Sequence, residues 1–204
     1  LTAEAIGGLS ISNAAWKEIA NTAAAGKMML TLKKGSITVT LEQDGNTVEW
    51  STSKNPMLVA IPYDGKGDPE YVVIYKNKGT TEPKHLIPAS WCEDGIVYAL
   101  AYSSGEYGIQ DMGITGFSDT ENKWMDSAAN YLAARNVMTG EEQGIFAPGE
   151  HVTRAEFTVM LMDMFDITLQ GLWMPKPYND QKDVPQWAAE AVLQATAMGI
   201  LTAD

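Results

Sequence analysis

The residues with the clearest chemical potential lie at the start of one predicted helix, within the segment Gly149–Ile167. Thr153 and Glu156 have the S/T-x-x-E spacing of a capping box, in which the hydroxyl and the carboxylate satisfy free backbone amides of the first turn. Arg154 stands between them, so the pattern predicts a well-started helix with one cation fixed at its N-terminus. The apolar residues that follow have helical spacing and predict one apolar face: Phe157, Met160, Leu161, Met164 and Phe165.

Other reactive side chains are scattered and form no catalytic pattern. His85, Cys92 and Asp94 fall on predicted loops and strand ends, where ordinary surface or partly buried roles are favoured over a catalytic or metal-binding one. The sequence contains no glycine-rich phosphate loop, no nucleophile elbow and no metal-ligand spacing. We therefore expect a protein that is not an enzyme and that needs no cofactor or metal.

Composition limits the partners of the chain. A net charge of −12 and a pI near 4.5 argue against duplex nucleic acid or an anionic membrane as a general partner. No apolar run approaches the roughly 18 residues of a membrane-spanning helix, so no membrane insertion is expected. Leu1 is not an initiator methionine, and any targeting segment is expected to lie upstream or to have been removed.

The first half is predicted to be an α+β module that spans residues 1–115. Ile11–Gly26 has a helical pattern that Ser12 or Asn13 can cap. Glycine-containing turns then separate short β-rich runs, which predict these strands: Lys27–Leu32, Ser36–Leu41, Thr47–Ser51, Met57–Pro62, Tyr71–Lys76, Ile96–Tyr102 and Tyr107–Ile109. This spacing is typical of an antiparallel sheet or small sandwich with one helix. Its tyrosines are interpreted as cross-strand aromatic pairs in preference to a ligand-binding face.

The second half contains an internal repeat. Phe117-Ser118-Asp119 precedes Trp124 in the same way that Tyr178-Asn179-Asp180 precedes Trp187. Each tryptophan opens a predicted helix, and the first helix is followed by a Gly/Pro loop and then by the capped helix described above. The period is near 60 residues, and helix pairs of this size are expected to pack against their neighbours.

In this order and spacing, the motifs resemble the S-layer homology (SLH) family of bacterial cell-surface proteins. The resemblance rests on F-S-D at 117–119, Trp124, N-V-M-T-G at 136–140, F-A-P at 146–148 and V-T-R-A-E-F at 152–157. It implies an all-α region with one complete motif at 116–167, then a linker and half of a second motif at 168–204. The first half looks like the β-rich module that often precedes such motifs in Gram-positive surface proteins. Asn136 stands where the family commonly has glycine, and asparagine tolerates the left-handed conformation.

The resemblance also implies a function and a location. SLH motifs anchor extracellular proteins to secondary cell-wall polymers, often pyruvylated ones, in grooves between adjacent motifs. The family's polymer-contacting arginine corresponds to Arg154, whose guanidinium and helix terminus suit a carboxylate or pyruvate ketal. Asp119 and Trp124 would add a hydroxyl acceptor and a stacking surface, and Asp180 and Trp187 would line the neighbouring groove.

Several alternatives remain open at the level of sequence. Thr153 and Glu156 act on binding mainly through the position of Arg154, both tryptophans are candidates for core packing, and both aspartates could cap the following turns. An adhesive or structural surface domain whose incomplete SLH region mediates only self-association is the second hypothesis, and a surface enzyme with an upstream catalytic domain is the third. With one and a half motifs at most one native groove can form, so weak or absent polymer binding is expected compared with a longer chain.

Overall fold

The computed structural model describes residues 7–22, 26–33, 35–52, 54–77, 84–165 and 181–202. It combines sheets and helices, as the predicted α+β class requires. Asp180, the predicted linker 168–177 and the turn Lys78-Gly79 lie outside the described residues.

Two antiparallel sheets make up the described first half. The strands are β1 Gly8–Ser10, β2 Lys27–Lys33, β3 Ser36–Gln43, β4 Asn46–Val48, β5 Met57–Pro62, β6 Val72–Lys76, β7 His85–Ile87, β8 Trp91–Glu93, β9 Ile96–Ala101 and β10 Gly105–Asp111. One sheet has the strand order β1-β5-β9-β8, and the other has the order β2-β3-β10-β6-β7 with β4 also paired to β3. One buried cluster draws on both sheets, so the core lies between them.

Alternation of apolar residues explains why these strands form. In β5, every second side chain, from Met57 to Ile61, is buried, and β9 buries Val97, Ala99 and Ala101 in the same way. The turns at Asp44-Gly45 and Asp94-Gly95 have positive φ at both residues, which is the geometry of tight hairpins. Both turn predictions are confirmed.

Helix α1, Asn13–Thr22, covers this core as predicted. The Ser12 hydroxyl accepts a hydrogen bond from the backbone N–H of Ala15 at 3.1 Å, which confirms Ser12 as the cap. Ala15 and Ile19 are buried, whereas Trp16 is exposed. The helix is described as far as Thr22, and residues 23–25, which precede the predicted stop at Gly26, lie outside the described residues.

Strand prediction failed mainly at short strands. The three-residue strands β1, β7 and β8 were missed, because three residues carry no measurable alternation. β4 ends at Val48, two residues after it begins, and not at Ser51, which forms only an isolated bridge with Ser103. An aromatic cross-strand pair does form on the sheet, but between Trp91 and Tyr98, whose ring centroids are 5.5 Å apart.

The described second half contains three α-helices: α2 Asp126–Ala134, α3 Arg154–Phe165 and α4 Ala189–Ala197. The repeat is visible in their termini. After α2 the N–H of Val137 bonds to the carbonyl of Leu132 at 3.0 Å, and after α4 the N–H of Ile200 bonds to Ala195 at 2.9 Å. Asn136 and Gly199 have φ values of 56° and 73° at the matching turn.

The predicted apolar face of α3 was wrong at Phe157, which is 61% exposed. Met160, Leu161 and Met164 are half-buried. The helix packs on α4, and its buried residues are Thr158 and Met162, which lie one helical turn apart on a shared face. Trp124 and Trp187 lie outside the described core, which weighs against core packing for both.

Candidate functional site

The capping box at the start of α3 is formed by reciprocal hydrogen bonds. The backbone N–H of Thr153 donates to Glu156 Oε2 at 2.7 Å, and the N–H of Glu156 donates to Thr153 Oγ1 at 3.2 Å. The Thr153 hydroxyl also donates to Glu156 Oε2 at 2.7 Å. Hydrogen bonds from Thr153 lower the pKa of the Glu156 carboxyl, which therefore stays ionised at neutral pH. The predicted capping box is confirmed.

Arg154 is the first residue of α3, and its side chain is exposed. Within the described part of the chain, no carboxylate forms an ion pair with its guanidinium. Arg154, Ala155 and Thr158 form one wall of a cleft of about 180 Å³, which we name the Arg154 cleft. The opposite wall comes from the second repeat: Asp183, Val184, Pro185, Val192, Leu201 and Thr202. The free cation therefore lies where the two repeats meet.

Sequence reasoning missed the second wall of this cleft. Asp183 follows the Tyr178-Asn179-Asp180 motif by three residues, and Thr202 follows the turn at Gly199. The only signal that could have found them is the repeat itself, because residues around equivalent turns are expected to meet the neighbouring copy.

Trp124 lies at a different cleft. Its side chain is 90% exposed and borders a cavity of about 380 Å³, the Trp124 cleft. Phe146, Val152, Glu156 and Met160 also line this cavity. The structure thus brings Trp124 together with Glu156, while Arg154 lines the other cleft.

Asp119 fixes the loop between α2 and α3. Its Oδ1 accepts the N–H of Phe146 at 2.9 Å, and its Oδ2 accepts the N–H of Ala147 at 2.7 Å. These backbone hydrogen bonds lower the pKa of the Asp119 carboxyl. Ala147 has a φ of 60°, an uncommon conformation for alanine, and the two bonds hold it there. Both carboxylate oxygens are therefore engaged by the protein itself.

Trp187 borders a third cleft of about 480 Å³ that also includes Lys84, Glu190 and Gln194. Its side chain is 59% exposed. The three clefts separate Arg154, Trp124 and Trp187 from one another, and the predicted partner Asp180 is outside the described residues.

The described residues contain no group of three or more side chains that could bind a metal ion. Nor does any helix among them have the length and apolarity needed to span a membrane.

Comparison with known families agrees with the repeat and its motifs. Residues 116–158 match the S-layer homology domain. This match covers F-S-D at 117–119, Trp124 and the capping box, and it identifies a protein of the bacterial cell surface.

Curated relatives extend this similarity. The chain is 26% identical over 157 residues to an amylopullulanase of Thermoanaerobacterium thermosulfurigenes, which covers 75% of this chain and 8% of the relative. It is 30% identical over 118 residues to endo-1,4-beta-xylanase A of Thermoanaerobacterium saccharolyticum, and 28% identical over 118 residues to exoglucanase XynX of Acetivibrio thermocellus. Each of the latter alignments covers 56% of this chain and 10% of the relative. The chain thus spans a tenth or less of the length of these relatives, and no solved structure matches it.

Proposed function

We propose that this chain is a non-catalytic cell-surface segment whose SLH region anchors it non-covalently to a secondary cell-wall polymer, a pyruvylated polysaccharide. The observation that carries this proposal is the position of Arg154: an exposed cation at a capped helix terminus, in a cleft between two repeats. We assign residues 1–115 to a β-rich module, 116–167 to the first SLH motif, and 168–204 to a linker and the first half of a second motif.

The chemistry of the Arg154 cleft suits an acidic sugar. A guanidinium offers planar paired donors to a carboxylate, and the positive end of the α3 dipole favours the same anion. Residues 117–204 carry only 5 Lys and Arg residues against 13 Asp and Glu residues. A generally acidic surface disfavours unspecific attraction of an anionic polymer, so the binding depends on this local cation.

Trp124 and Trp187 provide the apolar surfaces that sugar rings need. Both side chains are solvent-exposed, which supports a contact role and weighs against the alternative that they serve as core residues. Thr153 and Glu156 contribute indirectly, because their reciprocal hydrogen bonds hold the backbone that carries Arg154. Asp119 also has an indirect role, because its hydrogen bonds shape the loop beside the Trp124 cleft.

The names of the relatives denote polysaccharide-degrading enzymes, but the aligned part is a small share of each. The 157-residue alignment is longer than the segment 117–204, so it reaches into the strand-rich half. We infer that the β-rich module accompanies the SLH region in such proteins and that catalysis resides in other parts of them.

The experiment is cosedimentation of the protein with purified cell walls, before and after chemical removal of the secondary polymer. We expect saturable binding only to walls that retain the polymer, and a drop of roughly tenfold or more for Arg154→Ala, the loss of about one charge-assisted contact. Lys66→Ala is the matched control, because Lys66 is an exposed cation in a loop of the strand-rich half. Equal binding to stripped walls, or equal effects of both variants, contradicts the proposal.

Self-association is the second candidate function. Trp124, Val152 and Phe157 are exposed apolar side chains on the described helical region, which is a feature of interfaces. This alternative expects a concentration-dependent mass in solution and no dependence on the polymer. Analytical ultracentrifugation of the unbound protein distinguishes the two candidates.

A further inference from the structure

Arg135 is a buried cation at the junction between the strand-rich half and the first repeat. It directly follows the last residue of α2 as its C-cap, and only 1% of its surface is exposed. Its Nη1 donates to the carbonyl of Glu70 at 2.9 Å, and its Nη2 donates to the carbonyl of Ser90 at 3.1 Å. Both acceptors belong to the strand-rich half, so one side chain of the repeat joins two separate segments of that half.

Neutral groups around Arg135 stabilise the positive charge of its guanidinium. Among the described residues no carboxylate forms an ion pair with it, and burial lowers the pKa of its guanidinium. Nη1 also donates to the carbonyl of Tyr131 at 3.3 Å, and the guanidinium carbon lies 3.4 Å from the centroid of the Tyr131 ring. The negative end of the α2 dipole and the aromatic face therefore stabilise the charge. Within the described part of the chain, its Nε is buried without a hydrogen-bond partner, which is a local energetic cost.

A second polar contact lies one helical turn earlier. Asn130 is buried, and its Oδ1 accepts the N–H of Gly116 at 2.9 Å in the segment that leads from β10 into the repeat. Its amide nitrogen donates to the carbonyl of Asp126 at 2.9 Å. Asn130 thus holds the junction at Gly116, at the start of the first repeat, while Arg135 bonds to the strand-rich half itself.

The second repeat lacks both residues. Aligned through Trp124 and Trp187, Arg135 corresponds to Met198 and Asn130 corresponds to Leu193. Met198 is likewise the C-cap of its helix, directly before the matching turn, but it is 38% exposed. The buried polar pair is therefore a property of the first repeat and not of the repeat pattern.

We propose that the strand-rich half is the N-terminal cap of the helical repeats, and that Arg135 is the docking residue that makes it so, while Asn130 holds the junction at Gly116. Repeat arrays need a terminal element that contacts the first unit, and this half contacts the end of α2 at the carbonyls of Glu70 and Ser90. The two parts then move and unfold as one body, which fixes the orientation of the β-rich module relative to the anchoring clefts. This inference rests on the domain division proposed above but not on polymer binding.

The test replaces Arg135 and Asn130 with the corresponding residues of the second repeat. In calorimetry, we expect one unfolding transition for the wild type and two for Arg135→Met and for Arg135→Met combined with Asn130→Leu. In limited digestion with a nonspecific protease, cleavage within Met112–Gly116 should become faster by roughly tenfold for each charge-assisted hydrogen bond lost. Lys66→Met is the matched control, since it removes an exposed cation of the strand-rich half by the same substitution, and it should change neither readout.

A single transition together with wild-type protection of Met112–Gly116 in Arg135→Met overturns the inference. Should Arg135→Met lack a folded circular dichroism spectrum, Arg135→Lys decides the question, because lysine keeps the charge but its single nitrogen cannot occupy the positions of both Nη1 and Nη2. Two transitions in that variant support the docking role, and one transition refutes it. Cosedimentation with cell walls is measured separately, so a failure of anchoring is not confused with a failure of docking.

Discussion

Substitution of Thr153, which caps the start of α3, tests whether this residue acts on structure or contacts the polymer directly. In Thr153→Ala, the N–H of Glu156 loses its acceptor at 3.2 Å and the Glu156 carboxylate loses the hydroxyl donor at 2.7 Å. Loss of an N-cap hydroxyl costs about 1 kcal/mol of unfolding free energy, within a range of about 0.5–2 kcal/mol. For a chain of this length, 1 kcal/mol corresponds to a decrease of about 2–4 °C in Tm.

The assay is thermal unfolding followed by circular dichroism at 222 nm, with Thr153→Ser as the matched control. Serine keeps the capping oxygen, so its Tm should stay within about 1–2 °C of the wild type. Binding to cell walls should fall less in Thr153→Ala than in Arg154→Ala, since only the position of the guanidinium is affected. An unchanged Tm in Thr153→Ala, or equal losses in both Thr153 variants, refutes the capping argument.

Two further predictions concern the loop that shapes the Trp124 cleft. The folded-state pKa of Asp119 is lowered, so its contribution to stability is full above its unfolded pKa near 4 and is lost as the pH falls through the folded value. Asp119→Asn should therefore be less stable than the wild type at pH 7 in urea unfolding, and the difference should shrink below about pH 4. In Gly140→Ala, the new Cβ would lie 2.3 Å from the carbonyl oxygen of Ile145 at a φ of 82°, and we expect a loss of more than about 1–2 kcal/mol in the same assay.

Controls for both loop predictions are available nearby. Gly149→Ala places its Cβ in open space and should leave the unfolding free energy within about 0.5 kcal/mol of the wild type. If Gly149→Ala and Gly140→Ala are equally destabilising, the argument from close approach at Ile145 fails. A difference between Asp119→Asn and the wild type that persists unchanged at pH 3 would show that the ionised carboxylate is not what holds the loop.

Features that depend only on residues close together in the sequence were predicted correctly. The capping box at Thr153, the cap at Ser12 and the hairpin turns at Asp44-Gly45 and Asp94-Gly95 all depend on residues within a few positions of one another. Their geometry is determined by backbone conformation and short-range hydrogen bonds, so no knowledge of the rest of the fold is needed. The left-handed conformation expected for Asn136 is confirmed for the same reason.

Features that depend on which surfaces meet were not predictable. Phe157 fits an apolar stripe in the sequence, yet the buried positions of α3, which packs on α4, are Thr158 and Met162. At the end of α2, the contact with the strand-rich half is made by Arg135. Periodicity predicts that a helix has an apolar face, but it does not predict which element packs against that face. No sequence pattern predicts the role of Arg135, because a buried arginine without an ion pair has no local signature.

The two repeats show how a common pattern can serve different contacts. Asn136 and Gly199 adopt the same left-handed turn, and the hydrogen bonds that follow each turn match. The turn is therefore a requirement of the repeat itself and is independent of what surrounds it. One residue earlier the copies diverge: Arg135 is buried against two carbonyls of the strand-rich half, whereas Met198 is partly exposed. Positions that differ between copies while their backbone agrees thus mark the surfaces where each copy meets its own neighbour.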